Sequence, residues 1–181
     1  EVTPEMRCKA KAVNFGIVYG QQAYGLAQSL RIPFGEAQDM IDSYFAAYPD
    51  VRTYLDDLVA DAHKNGYAET LFGRKRHIPE LLSRNAQQRS FGERTAMNHP
   101  MQGSAADIIK LAMIQASARL RKDYPQVDLM LQVHDELDLS VPEDQVEEVA
   151  ALLRDVMENV VELRVPLCVD VSYGSNWSEA H

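Results

Sequence analysis

Cysteine and tryptophan are scarce: two of the first and one of the second among 181 residues. Cys8 and Cys168 stand far apart, which excludes a dense disulfide framework and leaves two thiols in a reducing compartment as the expectation. No apolar run approaches the ~20 residues of a membrane helix, so no membrane partner is expected. The opening Glu1-Val2-Thr3-Pro4-Glu5 lacks the basic and apolar regions of a signal peptide, and a cytoplasmic location is expected. Repeats and low-complexity stretches are also absent. A hydrophobic fraction of 46% beside 25% charged residues is that of an ordinary globular chain with a sizeable core.

Positive charge is in deficit overall, with a net of −9, but the deficit is uneven. Residues 1–122 hold 16 Lys+Arg against 13 Asp+Glu, whereas residues 123–181 hold 2 against 14. Arg74, Lys75, Arg76, Arg84, Arg89 and Arg94 crowd one short stretch. Phosphate binding depends on such local clusters, which a net charge can hide; a solvated loop fits the same residues.

Hydrophobic spacing and the Gly/Pro punctuation divide the chain. Helices are expected over 4–19, 21–30, 36–47 and 51–65, with Thr3-Pro4 opening the first and Gly66 ending the fourth. Residues 67–72 and 75–78 read as a hairpin around Gly73-Arg74. Helix is expected again over 84–98. Pro100 disfavours helix at His99, so a separate helix is expected over 103–122. Strands at 127–133 and 137–141, a helix from Pro142 to about Val161 and a last strand at 167–173 complete an α+β pattern.

Three constellations carry the chemistry. On a helical wheel with Arg7 at zero, Lys11 falls at about 40°, Phe15 at about 80° and Tyr19 at about 120°. Two cations followed by two rings, one turn apart, suit a nucleoside triphosphate. A core pair of rings below two solvated cations fits the same spacing. Gly16 and Gly20 suggest close approach of a ligand or another segment. The second constellation is a strand in which Leu129, Leu131 and Val133 alternate with Met130, Gln132 and His134, running into Asp135-Glu136. Adjacent carboxylates at a hairpin tip suit either a solvated turn or a Mg²⁺ site built from hard oxygen ligands. In the third, Arg94, Asn98 and Gln102 recur every fourth residue. Such groups can donate to the minor-groove acceptors that every base pair presents, and they also suit a plain polar helix face.

These residues stand in motifs. Arg7-x₃-Lys11-x₂-Asn14-Phe15-Gly16-x₂-Tyr19-Gly20 resembles the fingers-helix motif of family A DNA polymerases, the bacterial DNA polymerase I type. Gln132-Val133-His134-Asp135-Glu136-Leu137 resembles the palm motif of the same family, in the same order along the chain. Glu93-Arg94-x₃-Asn98-x-Pro100-Met101-Gln102-Gly103 resembles its primer–template segment, and Gly174-Ser175-Asn176-Trp177 with Ala180-His181 resembles its natural end.

The resemblance implies a fingers subdomain over about 1–83 and the C-terminal half of a palm over 84–181, with a small antiparallel sheet. It implies that Arg7, Lys11, Phe15 and Tyr19 bind the incoming dNTP, with Lys11 also able to protonate the departing pyrophosphate. Asp135 would ligate catalytic Mg²⁺, Glu136 would assist, and His134, Arg94, Asn98 and Gln102 would contact primer–template DNA. Cys8 stands where many members carry a second basic residue. The family's chemistry uses two Mg²⁺ ions and a further palm aspartate upstream of the fingers helix, followed by Ser-Gln-Ile-Glu. No such segment occurs in these 181 residues. Template-directed DNA synthesis, in replication or repair, is therefore expected of this chain together with an N-terminal part, and the alternative is a fragment that binds DNA or nucleotide without chemistry.

Overall fold

A computed structural model describes residues 2–180. It is an α+β chain of seven α-helices and two two-stranded antiparallel sheets among the described residues. The chain folds as two compact units, 1–104 and 105–181. The division falls inside a helix. Residues 84–104 belong with unit 1 because Ala96 is wholly buried against Ala62, Ala68, Ile78 and Leu81.

In unit 1, α1 (Pro4–Val18) starts where Thr3 Oγ1 accepts from Met6 N at 3.2 Å, with Pro4 in the first turn. The helices α2 (Ala23–Leu30) and α3 (Phe34–Ala47) pack on it around Ala23, Leu26, Ala27 and Ala37, with Val13 of α1 against the cluster. Helix α4 (Pro49–Asn65) follows after one residue, since Pro49 cannot continue α3 yet suits a first turn. Gly66, at φ 78°, ends α4 in the left-handed conformation that favours glycine. Strands β1 (Tyr67–Glu69) and β2 (Lys75–His77) then pair with Tyr67 opposite His77 and Glu69 opposite Lys75.

The next helix departs from the expectation of a break at His99-Pro100. Helix α5 is continuous from Ala86 to Asp123, with Pro100 inside it. An internal proline forfeits the bond to the carbonyl four residues back and crowds that carbonyl, at a cost of about 3 kcal/mol. The turn that follows is tied from outside the helix ladder. Ser104 Oγ donates to the Pro100 carbonyl and accepts from Leu71 N, and Arg74 Nη2 donates to the Gly103 carbonyl at 3.0 Å. Tertiary bonds thus override the local preference. At the other end, Asn85 Oδ1 accepts from Gln87 N at 2.9 Å and caps the helix start.

In unit 2, β3 (Asp128–Val133) and β4 (Glu136–Ser140) form a hairpin, and α6 (Val146–Glu158) packs on the end of α5. The core there is Ala116, Leu120, Val127, Val149, Leu152, Leu153 and Val156, with Leu139 and Val141 of the hairpin arm against it. A short 3₁₀ turn, Glu143–Gln145, precedes α6 where continuous helix from Pro142 was expected. The expected strand at 167–173 is absent: the segment has no ladder partner among the described residues. Its alternation survives in burial, with Leu167, Val169 and Val171 half-buried and Cys168, Asp170 and Ser172 exposed. A two-residue period marks one covered face, but a strand also needs a neighbour for its N–H and C=O groups. Val169 N instead bonds Glu158 Oε1 at 3.0 Å. A last short helix, α7, covers Trp177–Ala180.

Candidate nucleotide and nucleic-acid sites

On α1 Val13 packs against the α2–α3 cluster and Ile17 is buried, while Arg7 and Lys11 are exposed; Ala10, on the same apolar side of the wheel, is exposed as well. Lys11 Nζ stands 5.7 Å from the centroid of the Phe15 ring, and the Phe15 and Tyr19 rings are 6.1 Å apart and tilted by 32°. Phe15 is 48% and Tyr19 38% exposed, so these rings are not core residues. A cation over a ring face followed by a second ring forms a continuous charged and stacking surface one helix face wide. Asn14 lies off this surface: its Oδ1 accepts from the Tyr44 hydroxyl at 2.9 Å and ties α1 to α3.

The close approach suggested by the two glycines is made by protein side chains. A Cβ on Gly16 would stand 2.6 Å from Gln21 Oε1. On Gly20, at φ 69°, it would stand 2.5 Å from Met97 Cε and 3.2 Å from Arg94 Cγ. Gly20 therefore lets the end of α1 abut the face of α5 that carries Arg94, which the sequence did not reveal. Met97 and Gln21 are spacing residues that no motif marked.

Arg94, Asn98 and Gln102 lie on the one continuous helix α5 at four-residue spacing. Arg94 Nη1 donates to Ser90 Oγ at 2.8 Å, which directs the guanidinium along the helix. Asn98 Oδ1 and His99 Nε2 are buried and have no hydrogen-bond partner. Gln102 is exposed beside buried Gly103 and Ser104. Of the basic cluster at 74–94, Arg74 is tied to Gly103, Arg89 Nη1 donates to the Ser83 carbonyl at 3.4 Å, and Lys75 Nζ lies 4.5 Å over the Tyr67 ring. The Tyr67 hydroxyl holds the Lys75 ammonium above its ordinary pKa. These three thus have a partner within the chain, and all six except half-buried Arg94 are exposed.

The Asp135 hairpin is tighter than its sequence suggests. The connection is only His134-Asp135, because Glu136 already pairs with Val133 as the first residue of β4. His134 takes a left-handed φ of 53°, and Gln132 Nε2 donates to the His134 carbonyl at 2.6 Å. That bond closes the turn and presents the exposed Asp135 carboxylate at its tip. Hard, exposed carboxylate oxygens fit Mg²⁺ in kind. Among the described residues, no group of three His, Cys, Asp or Glu side chains converges to hold a metal ion. Likewise no helix among them is long and apolar enough to cross a membrane.

A model of DNA polymerase family A matches residues 1–179. The DNA polymerase I of Geobacillus stearothermophilus is 54% identical over 180 residues, and that of Bacillus subtilis strain 168 is 51% identical over 180. Each alignment takes in 99% of this chain and 20% of the relative, so the chain spans about a fifth of the length of these curated relatives. Among solved structures, the polymerase domain of Pol1 from M. smegmatis in complex with DNA primer-template and dNTP superposes with a TM-score of 0.95 at 47% identity. That superposition covers 99% of this chain and 32% of the other. The motifs, the fold and the matched length agree: this chain belongs to DNA polymerase family A.

Proposed function

We propose that this chain supplies the triphosphate-binding helix, the minor-groove helix and one metal-binding carboxylate of a template-directed DNA polymerase. The observation that carries the reading is the exposed surface of Arg7, Lys11, Phe15 and Tyr19 on α1, whose rings would otherwise be buried as core. Arg7 and Lys11 neutralise the triphosphate, and Lys11 is placed to give a proton to the departing pyrophosphate. Phe15 stacks on the incoming nucleotide and Tyr19 lies by the template base. Arg94, Asn98 and Gln102 donate to minor-groove acceptors, which allows any sequence to be held in register. His134, at the hairpin turn, contacts the primer end.

Asp135, with Glu136 beside it, would hold Mg²⁺; a metal there acidifies the primer 3′-hydroxyl and balances charge on the reacting phosphate. One exposed carboxylate and its neighbour are too few to hold two ions, and no third acidic or imidazole ligand converges among the described residues. The reading therefore requires a further carboxylate strand from outside these 181 residues, and the isolated chain binds DNA or nucleotide without chemistry. Action in the cytoplasm, in replication or repair, belongs to the same proposal.

Primer extension with Mg²⁺ and all four deoxynucleotides tests it. The 181-residue chain by itself yields no product, whereas a polymerase chain that also contains the upstream carboxylate strand extends the primer and loses that activity on Asp135→Ala. Extension by the isolated chain, abolished by Asp135→Ala, would show that it completes a two-metal site unaided.

A further inference from the structure

The three residues of the proposed minor-groove face straddle a weakness. Arg94 and Asn98 precede Pro100, and Gln102 follows it. The proline has no N–H for the Ala96 carbonyl, so one rung is missing from the ladder in the stretch between Arg94 and Gln102 and the helix backbone alone holds the spacing of the three residues less firmly. The β1–β2 hairpin grips the chain just beyond this rung. Leu71 N donates to Ser104 Oγ at 2.9 Å, and that hydroxyl donates in turn to the Pro100 carbonyl. Arg74 Nη2 donates to the carbonyl of Gly103, the neighbour of Gln102, at 3.0 Å.

The fit leaves no slack. A Cβ on Gly103 would stand 2.6 Å from the Thr70 methyl and 3.0 Å from His99 Cε1, so Gly103 is wedged between the hairpin and the turn before it. Thr70 is itself buried, and its Oγ1 accepts from Arg74 N at 3.2 Å, which orients the hairpin tip toward the helix. Nothing in a plain polar hairpin requires two bonds and a glycine-sized seat on one helical turn.

The geometry points to the β1–β2 hairpin as a brace that sets the position of Gln102 relative to Asn98 across Pro100, with Arg74 and Ser104 as positioning residues for primer–template binding. The inference rests on the proposed role of Gln102 in the minor groove. It assigns Arg74, which by charge looks like a phosphate ligand, to an indirect role through Gly103.

The test uses a polymerase chain containing both this segment and the upstream carboxylate strand. Primer–template affinity, its salt dependence and the nucleotide KM are measured for Arg74→Ala, Arg74→Lys, Gln102→Ala and the Arg74→Ala/Gln102→Ala pair. We expect Arg74→Ala to weaken primer–template binding about tenfold, the scale of one lost charge-assisted hydrogen bond. The nucleotide KM and the salt slope stay unchanged, since no phosphate contact is lost. Arg74→Lys restores most of the affinity, because an ammonium can reach the same carbonyl. The pair is no weaker than Gln102→Ala by itself, since a brace has nothing left to position. Additive losses, or a salt slope reduced by about one, would make Arg74 a direct DNA ligand and overturn the brace. Intact affinity in Arg74→Ala beside a loss in Gln102→Ala would overturn the brace while leaving the minor-groove reading in place. Intact affinity in Gln102→Ala would sink the minor-groove reading itself. Should Arg74→Ala not fold, Ser104→Ala removes the other tie and carries the same comparison.

Discussion

Alanines Ala23, Ala27, Ala37, Ala62, Ala68 and Ala96 make up six of the nine buried residues in the two apolar clusters of unit 1, beside Leu26, Ile78 and Leu81. In unit 2 the cluster holds one alanine, Ala116, with Leu120, Val127, Val149, Leu152, Leu153 and Val156. Small side chains let helices approach closely but remove little apolar area from water, whereas branched side chains bury more area in one place. Unit 1 adds polar ties to compensate: Tyr44 to Asn14, Leu71 to Ser104 and Arg74 to Gly103. Its proposed ligand surfaces sit on helix faces held at fixed spacing by these ties. Unit 2 instead presents one carboxylate at the tip of a hairpin whose other end is anchored in an apolar core. On the proposed roles, close helix spacing would serve a site for an extended ligand, and a projecting turn a single metal ligand.

Four experiments test whether the two units differ in this way. The largest effect is expected at the hairpin tip. In a polymerase chain that has the upstream carboxylate, Asp135→Asn should lower primer extension on the order of a thousandfold by weakening metal binding, with primer–template affinity nearly unchanged. Residual activity within tenfold of the wild type would remove Asp135 from the metal site. On the α1 surface, Lys11→Ala should reduce kcat/KM for the nucleotide about a hundredfold, since one preorganised charge is lost from several. Steady-state kinetics at varied dNTP would show it, and an unchanged value would return Lys11 to the class of solvated cations.

The two cores should respond oppositely to changes of volume. Leu120→Ala in unit 2 leaves a cavity and should cost about 2–5 kcal/mol in urea unfolding. Ala96→Leu in unit 1 inserts bulk at a wholly buried position and should cost about 1–3 kcal/mol. Equal tolerance of the larger side chain at position 96 would mean that unit 1 is not closely spaced after all.

The smallest effect concerns the end of unit 2. Glu179 accepts from Ser175 N at 3.0 Å and from Asn176 Nδ2 at 2.8 Å, and these bonds hold its carboxyl below the ordinary value of 4.5. A depressed carboxylate pKa means the folded turn prefers the charged form. The contribution is full above pH 4.5 and fades as pH falls through the lower folded value. Trp177, the only tryptophan, should report loosening of this turn by fluorescence as the pH is lowered, and Glu179→Gln should abolish the transition. A transition that persists in Glu179→Gln would place its origin elsewhere.

Much of the candidate site is legible in the sequence because its signals are local. The cation and ring face of α1 follows from residue spacing, its start from Thr3-Pro4, and the Asp135 hairpin from two strand-like runs about a polar tip, although Leu131 and Val133 are exposed and the register shifts between Leu129 and Leu131. Expectation and structure part where a distant partner decides the outcome. Pro100 argues for a break, and Ser104, Leu71 and Arg74 override it. The 167–173 segment alternates like a strand but finds no ladder partner among the described residues. Arg74 reads as available charge, yet the Gly103 carbonyl that engages it lies 29 positions along the chain.

By itself, then, the sequence determined the helical and strand periods, the order of the motifs and the identities of the residues that can carry charge, stack or ligate. These depend on neighbours within a few positions, where rotation per residue and side-chain chemistry suffice. Only the tertiary structure decided that α5 runs through its proline, that Gly20 seats the end of α1 against Arg94, and that Arg74 spends its charge on a backbone carbonyl. Each of these outcomes is a competition between a local preference and bonds from residues tens of positions away, and spacing along a chain carries no record of which side wins.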